Sequence, residues 1–264
     1  MAERKKIRQI IYDLLFPPRC ASCRTLLDWY REDPDTGETL CRRCQAEWEE
    51  AKRTTCEICG KPVPECRCMP ILMQEARCRG FCRLVFYSPR QDDAVQNRII
   101  YHIKRRQEIR APEFLCRELL PALEQILGDK IAAKRLLVTY IPRRRNAKTK
   151  YGVDQAELLA KAMAKLTGGE FRRLIRRTRG STQAQKFLSP EKRLENAKQA
   201  FVAGRMGNCR GRTVLLLDDL VTTGASMERC VRILYQMGAG AVYCASVATD
   251  IPDPAETVQD GALS

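Results

Sequence analysis

Histidine is almost missing from this chain: His102 is the only one in 264 residues. No histidine general base is evident, because His102 falls on a predicted helix far in sequence from the motifs described below. It reads as a structural or surface residue. Long apolar runs are missing too. Residues 10–16 are apolar but interrupted by Asp13, and the run is too short to cross a bilayer. Ile7, Ile10, Ile11, Leu14 and Leu15 follow helical spacing, so residues 1–16 are expected to form an amphipathic helix packed on the protein, with no integral membrane segment. The charged start, residues 1–8, lacks the character of a secretory signal, which places the chain in the cytoplasm. Acidic residues are scarce in one stretch. Residues 131–213 carry 21 Lys/Arg against 5 Asp/Glu, a net of +16, whereas residues 1–70 carry 13 against 12. The whole chain is at +15, so one segment holds more than the entire excess. Such a surface attracts phosphate, either on a polyphosphorylated small molecule or along a nucleic-acid backbone.

What the chain has in abundance is cysteine, 14 in all. In a cytoplasmic protein clustered cysteines are metal ligands more often than disulfides. Cys20/Cys23 and Cys41/Cys44 are two Cys-x2-Cys knuckles with zinc-ribbon spacing, and two such pairs complete a closed tetrahedral zinc site. Cys56/Cys59 is a third knuckle and Cys66/Cys68 a shortened fourth. Cys78 and Cys82 are alternatives for one of its last ligands. Four thiolates leave no open coordination position, so the zinc is structural and supplies folding energy to a segment with little core of its own. Cys116, Cys209, Cys230 and Cys244 lie in helix-like or strand-like stretches and are expected in the core. The zinc ribbon is assigned to residues 17–78.

From about residue 80 the texture changes to alternating strands and helices. Strands are predicted over residues 84–87, 136–141, 174–175, 214–217 and 241–247. Helices are predicted over 92–105, 113–127, 153–166 and 225–237. The alternation argues for a parallel α/β sheet over residues 80–250, with ligands at the carboxyl ends of the strands. Residues 251–264 are polar and are expected to be disordered.

One run carries most of the chemistry. Four apolar residues, Val214 to Leu217, lead into Asp218 and Asp219, and then into Leu220, Val221, Thr222, Thr223, Gly224, Ala225 and Ser226. The turn and helix start offer backbone N–H groups and the positive end of a helix dipole to a phosphate. Gly224 lets the backbone come close, the hydroxyls of Thr222, Thr223 and Ser226 donate, and the two carboxylates accept from ribose hydroxyls. The run resembles the phosphoribosyl pyrophosphate (PRPP) loop of type I phosphoribosyltransferases.

Taken with Leu15-Phe16-Pro17-Pro18-Arg19-Cys20-Ala21-Ser22-Cys23, with Ile141-Pro142-Arg143, and with Thr182 to Ser189 followed by Arg193 and Asn196, the run makes the chain resemble the ComF (ComFC-like) family over roughly residues 10–250. The resemblance implies an α/β parallel-sheet type I phosphoribosyltransferase fold behind a small N-terminal Cys-rich double zinc ribbon. It implies PRPP with magnesium at Thr222, Thr223, Gly224, Ala225 and Ser226, with Asp218 and Asp219 on the ribose. Pro142 and Arg143 would meet the pyrophosphate, with Arg144, Arg145, Lys150, Arg177 and Arg193 as a basic surround. Single-stranded DNA and the DNA-uptake machinery are the implied partners. One stretch departs from the family: Tyr151-Gly152-Val153-Asp154-Gln155 stands where Arg-Gly-Phe-Asn-Gln is usual, which separates ligand binding from turnover. The competing reading is a non-catalytic single-stranded nucleic-acid-binding accessory protein that uses the basic surface.

Overall fold

A computed structural model describes residues 17–27, 39–87, 93–104, 110–131, 136–143, 154–178, 200–204, 208–251 and 254–258. The predicted helix over residues 1–16 lies outside them. In chain order the elements are α1 (Arg42–Arg53), β1 (Met69–Pro70), α2 (Ile71–Glu75), β2 (Phe81–Phe86), α3 (Val95–Lys104), α4 (Ala111–Leu127), β3 (Leu136–Tyr140), α5 (Gln155–Thr167), β4 (Glu170–Phe171), β5 (Ile175–Arg177), β6 (Phe201–Ala203), β7 (Thr213–Val221), α6 (Ala225–Gln236), β8 (Ala241–Thr249) and β9 (Thr257–Val258).

The central sheet runs β2-β8-β7-β3-β4, with every neighbouring pair parallel. Both faces are covered, which is why its inner strands are almost continuously apolar. Leu215 and Leu217 on β7 join one layer with Leu115, Leu123 and Leu159 from α4 and α5. Val214 and Leu216 face the other layer, with Met227, Val231 and Leu234 from α6. This is the α/β class that the alternation predicts. A separate antiparallel pair, β5-β6, lies outside the main sheet.

The Cys-rich segment shares the core of the sheet. Trp48 on α1 is fully buried and belongs to the same apolar cluster as Leu115 and Leu123. Its ring sits 5.8 Å from Phe114, and its indole N–H donates to Glu118 at 2.8 Å. Lys52 adds a second bond to the same carboxylate at 2.6 Å. Helix α1 was not predicted, because only Cys44 and Trp48 of its twelve residues are buried.

Two expectations need correction. The polar composition after Asp250 predicts disorder, yet Thr257 and Val258 form β9 and pair with Pro70 and Met69 of β1. The acid pair also does not end the strand. Strand β7 continues through Asp218 and Asp219 to Val221, because β8 offers it partners as far as Thr249.

Candidate functional site

Successive residues of a strand point to opposite faces, so extending β7 separates the two acids. Asp219 is 3% exposed and accepts a charged hydrogen bond from Arg143 Nη2. Asp218 Oδ1 accepts from the Asp219 backbone N–H at 2.9 Å. Burial, and then the charge of Asp219, push the Asp218 carboxyl well above the ordinary aspartate range. Beyond Val221 the chain turns through Thr222 and Thr223, both exposed, and enters α6. Gly224 is the residue before the helix, at φ +78, a left-handed conformation that suits glycine. A Cβ there would lie 2.8 Å from Pro70 Cβ and 2.9 Å from Pro70 Cγ. The first four N–H groups of a helix have no partner within it. The start of α6 therefore presents donors beside the exposed Ser226, with the Ala225 N–H 3.5 Å from Thr223 Oγ1.

The second wall comes from the end of β3. Pro142 is buried and Arg143 half-buried. The Arg143 backbone N–H donates to Asp154 Oδ2 at 3.1 Å, just ahead of α5. Burial works against the Arg143 charge, but the carboxylates of Asp219, Asp218 and Asp154 more than offset it and hold the guanidinium above its usual range. Arg177 on β5 reaches the Pro142 carbonyl at 3.4 Å and lies 4.8 Å from the centre of the Phe201 ring. The predicted residues Asp218, Asp219, Pro142, Arg143 and Arg177 are thus brought together at one end of the sheet. Arg144, Arg145, Lys150 and Arg193, together with Gly152, Gln185 and Asn196, lie outside the described residues.

Sequence reasoning missed the support beneath this wall. Glu157 on α5 accepts from the Tyr140 hydroxyl at 2.8 Å, from Lys161 at 2.8 Å and from Arg173. Burial would raise its carboxyl, but Arg173, Lys161 and Tyr140 hold it down to about 2. The carboxylate ties β3, α5 and the approach to β5 into one unit. The signal was an acid inside an otherwise apolar helical face. His102 sits on α3, edge-on to Tyr101 at 5.8 Å.

The cysteines form two groups. In each of the sets Cys20/Cys23/Cys41/Cys44 and Cys56/Cys59/Cys66/Cys68, the ligand atoms lie within 4.8 Å of one another. A tetrahedral zinc with Zn–S bonds of about 2.3 Å needs sulfurs roughly 3.8 Å apart. Cys23 and Cys41 are at 3.6 Å, so the residues present fit the ion. Cys68, rather than Cys78 or Cys82, completes the second set. Cys68 Sγ lies with the other three ligand atoms, whereas the Cys78 thiol bonds to the Gly80 carbonyl at 3.3 Å. Each group also takes an arginine from the sheet region: Arg98 Nη2 lies 3.7 Å from Cys44 Sγ, and Arg83 Nη2 lies 2.9 Å from Cys66 Sγ. Cys116, Cys209, Cys230 and Cys244 are buried in the core as expected.

Residues 11–83 match the family described as the double zinc ribbon domain, so the chain carries that domain. The chain is homologous to the DNA utilization protein YhgH of Escherichia coli (strain K12), 27% identical over 197 residues that cover 72% of this chain and 82% of YhgH. The protein of the same name from Escherichia coli O157:H7 matches to the same extent. Among solved structures, the allosteric regulatory enzyme of purine biosynthesis is 19% identical with a TM-score of 0.33, over 52% of this chain and 25% of that one. A hypoxanthine phosphoribosyltransferase from Staphylococcus aureus is 13% identical with a TM-score of 0.34, over 55% of this chain and 65% of that one. An adenine phosphoribosyltransferase is 17% identical with a TM-score of 0.34, over 52% and 70%. The chain spans about a quarter of the length of the first of these structures.

Proposed function

We propose that this ComF-like chain, a double zinc ribbon joined to a phosphoribosyltransferase-type α/β domain, binds PRPP with magnesium at the carboxyl end of β7. The observation that carries the reading is the continuity of one strand, two carboxylates on opposite faces and a tight glycine turn into a helix start. In this reading the start of α6 and the hydroxyls of Thr222, Thr223 and Ser226 hold the 5′-phosphate. Asp218 and Asp219 take the ribose hydroxyls and are the acids that would hold a magnesium ion, which would supply neutralisation of the pyrophosphate charge. Pro142, Arg143 and Arg177 face the pyrophosphate. Arg143 is paired with Asp219, so binding exchanges partners: pyrophosphate replaces Asp219 at the guanidinium, and a ribose hydroxyl replaces the guanidinium at Asp219.

The name of YhgH links that protein to DNA utilization. We extend the link to this chain as a role in DNA uptake or processing, with single-stranded DNA against the basic segment. A purely nucleic-acid-binding accessory role leaves the loop before α6 without a task. The test is isothermal titration with PRPP and Mg2+. Saturable binding that is lost in an Asp218→Asn/Asp219→Asn variant supports the reading. No binding by the wild type, or equal binding by that variant, sinks it.

A further inference from the structure

The second cysteine group reaches the proposed sugar-phosphate site by two routes. The first follows the backbone. Cys68 is its last thiolate, and β1 (Met69–Pro70) follows directly, pinned on its far side by β9. Pro70 then rests on Gly224 so closely that no Cβ fits there, and Met73 stands 3.4 Å from the same point. The second route crosses the sheet. Arg83 on β2 is 2% exposed and donates to Cys66 Sγ at 2.9 Å and to the Cys68 carbonyl at 2.7 Å. Arg83 is in register with Ser246 on β8, and Ser246 is in register with Asp218 on β7. Parallel register puts these three side chains in one transverse row on one face, with strands about 4.8 Å apart. Ser246, the middle member, is fully buried, and its hydroxyl has no hydrogen-bond partner among the described residues.

We propose that the second cysteine group is a brace for the sugar-phosphate site: metal held by Cys56, Cys59, Cys66 and Cys68 sets affinity for PRPP by seating Pro70 on Gly224 and holding Arg83 behind Asp218. The inference rests on the PRPP reading of that site. It makes Pro70 and Arg83 positioning residues, acting through Gly224 and Asp218. A ribbon that served only to fold its own segment would leave the loop indifferent to its metal. Here a loosened group frees both the proline that packs the turn and the buried guanidinium at the far end of the row that holds Ser246 and Asp218.

The experiment measures three things on the full chain: zinc content, PRPP–Mg2+ affinity by calorimetry, and amide hydrogen exchange across residues 222–228. Cys68→Ser removes one ligand of the second group. Pro70→Gly keeps all four thiolates but removes both carbons seated on Gly224. Cys68→Ser is expected to lose one zinc per chain, to weaken PRPP by about tenfold or more, and to speed exchange in residues 222–228 by a similar factor. Pro70→Gly is expected to retain its zinc and still weaken PRPP several-fold. Affinity within twofold and unchanged exchange in a zinc-depleted Cys68→Ser protein would overturn the proposal. If Cys68→Ser does not fold, the zinc-replete Pro70→Gly variant decides, and wild-type affinity with wild-type exchange overturns it. If the wild type fails to bind PRPP, the ligand reading falls, and the exchange comparison alone decides whether the brace exists.

Discussion

Gly224→Ala puts a single methyl group at the point where the ribbon meets the turn. Two costs follow from the structure. The residue sits at φ +78, where an L side chain costs about 1–2 kcal/mol relative to glycine. The new Cβ would lie 2.8 and 2.9 Å from Pro70 carbons that are held in place by β1 and β9, an overpacking worth about 1–3 kcal/mol. If the turn stays where it is, chemical denaturation should report a loss of about 2–5 kcal/mol. If the turn moves instead, stability falls less, but the N–H groups at the start of α6 are displaced and PRPP affinity drops by at least about tenfold, or 1.4 kcal/mol. Either way the sum of the two losses stays large.

A double-mutant cycle separates the terms, because residues in direct contact are not additive. Pro70→Gly in the Gly224→Ala background removes the overlap and should return about 1–3 kcal/mol, while the backbone cost remains. A Pro70→Gly change that is more favourable in the Gly224→Ala background than in the wild type marks the contact as real. The reasoning is refuted if Gly224→Ala costs under about 0.5 kcal/mol with PRPP affinity within twofold of wild type, a loss typical of an open surface site.

Two further perturbations test the other wall. Glu157 has its carboxyl held at about 2 against an ordinary 4.5, so the native state binds fewer protons than the unfolded chain between those values. Its contribution is present above pH 4.5 and is lost as pH falls toward 2. The shift alone corresponds to about 3 kcal/mol. Arg173 and Lys161 are 63% and 49% exposed, and solvent screening brings this to about 1–2 kcal/mol. Glu157→Gln should cost that much in urea denaturation at pH 7 and only about a quarter of it near pH 2.5; an undiminished gap at low pH would contradict the assignment. For the Arg143–Asp219 pair, the two side chains are 24% and 5% exposed, so the variants should be unequal. Arg143→Met strands a buried carboxylate and should cost about 3 kcal/mol, whereas Asp219→Asn leaves an arginine that can turn to water and should cost about 1 kcal/mol. Thermal unfolding of the two variants in one buffer checks the order, and the reverse order would defeat the argument.

The legible part of the fold was the part with one dominant periodicity. Strand β3 and helices α4, α5 and α6 bury one clear face or both, and their apolar spacing marked them to within a few residues. Both cysteine groups were legible because thiolates at Cys-x2-Cys spacing have little else to do in such a cluster. The extension of β7 through Asp218 and Asp219 was not legible. Carboxylates are poor strand formers, and only the length of β8 keeps them paired. Strand β9 was hidden for a similar reason, since two polar-flanked residues form a strand only when Met69 and Pro70 are there to meet them. At the proposed site, sequence named the acids, the Pro142–Arg143 end of β3 and the glycine turn that the structure brings to one end of the sheet. It missed Pro70 against Gly224, Arg83 beside the second cysteine group and Glu157 beneath the second wall, because a supporting contact between distant segments leaves no local pattern.

The Arg143–Asp219 pair lets the fold hold two largely buried charges side by side at the proposed site. A lone buried carboxylate or guanidinium is strongly unfavourable, while a pair of them is close to neutral for stability. The fold therefore loses little by holding both charges ready. The Arg143 backbone N–H is fixed separately, by Asp154 at 3.1 Å, so the guanidinium can change partners while its backbone stays in place. A ligand that brings only an anion would take Arg143 and leave Asp219 uncompensated. A ligand that brings only hydroxyls would do the reverse. In the proposed reading a molecule carrying a pyrophosphate beside a sugar diol would satisfy both groups at once, so the pair would select for the two chemistries in one ligand. Inorganic pyrophosphate and ribose 5-phosphate should each bind much more weakly than PRPP, by more than their lost contacts alone would give, and competition titration against PRPP measures the difference.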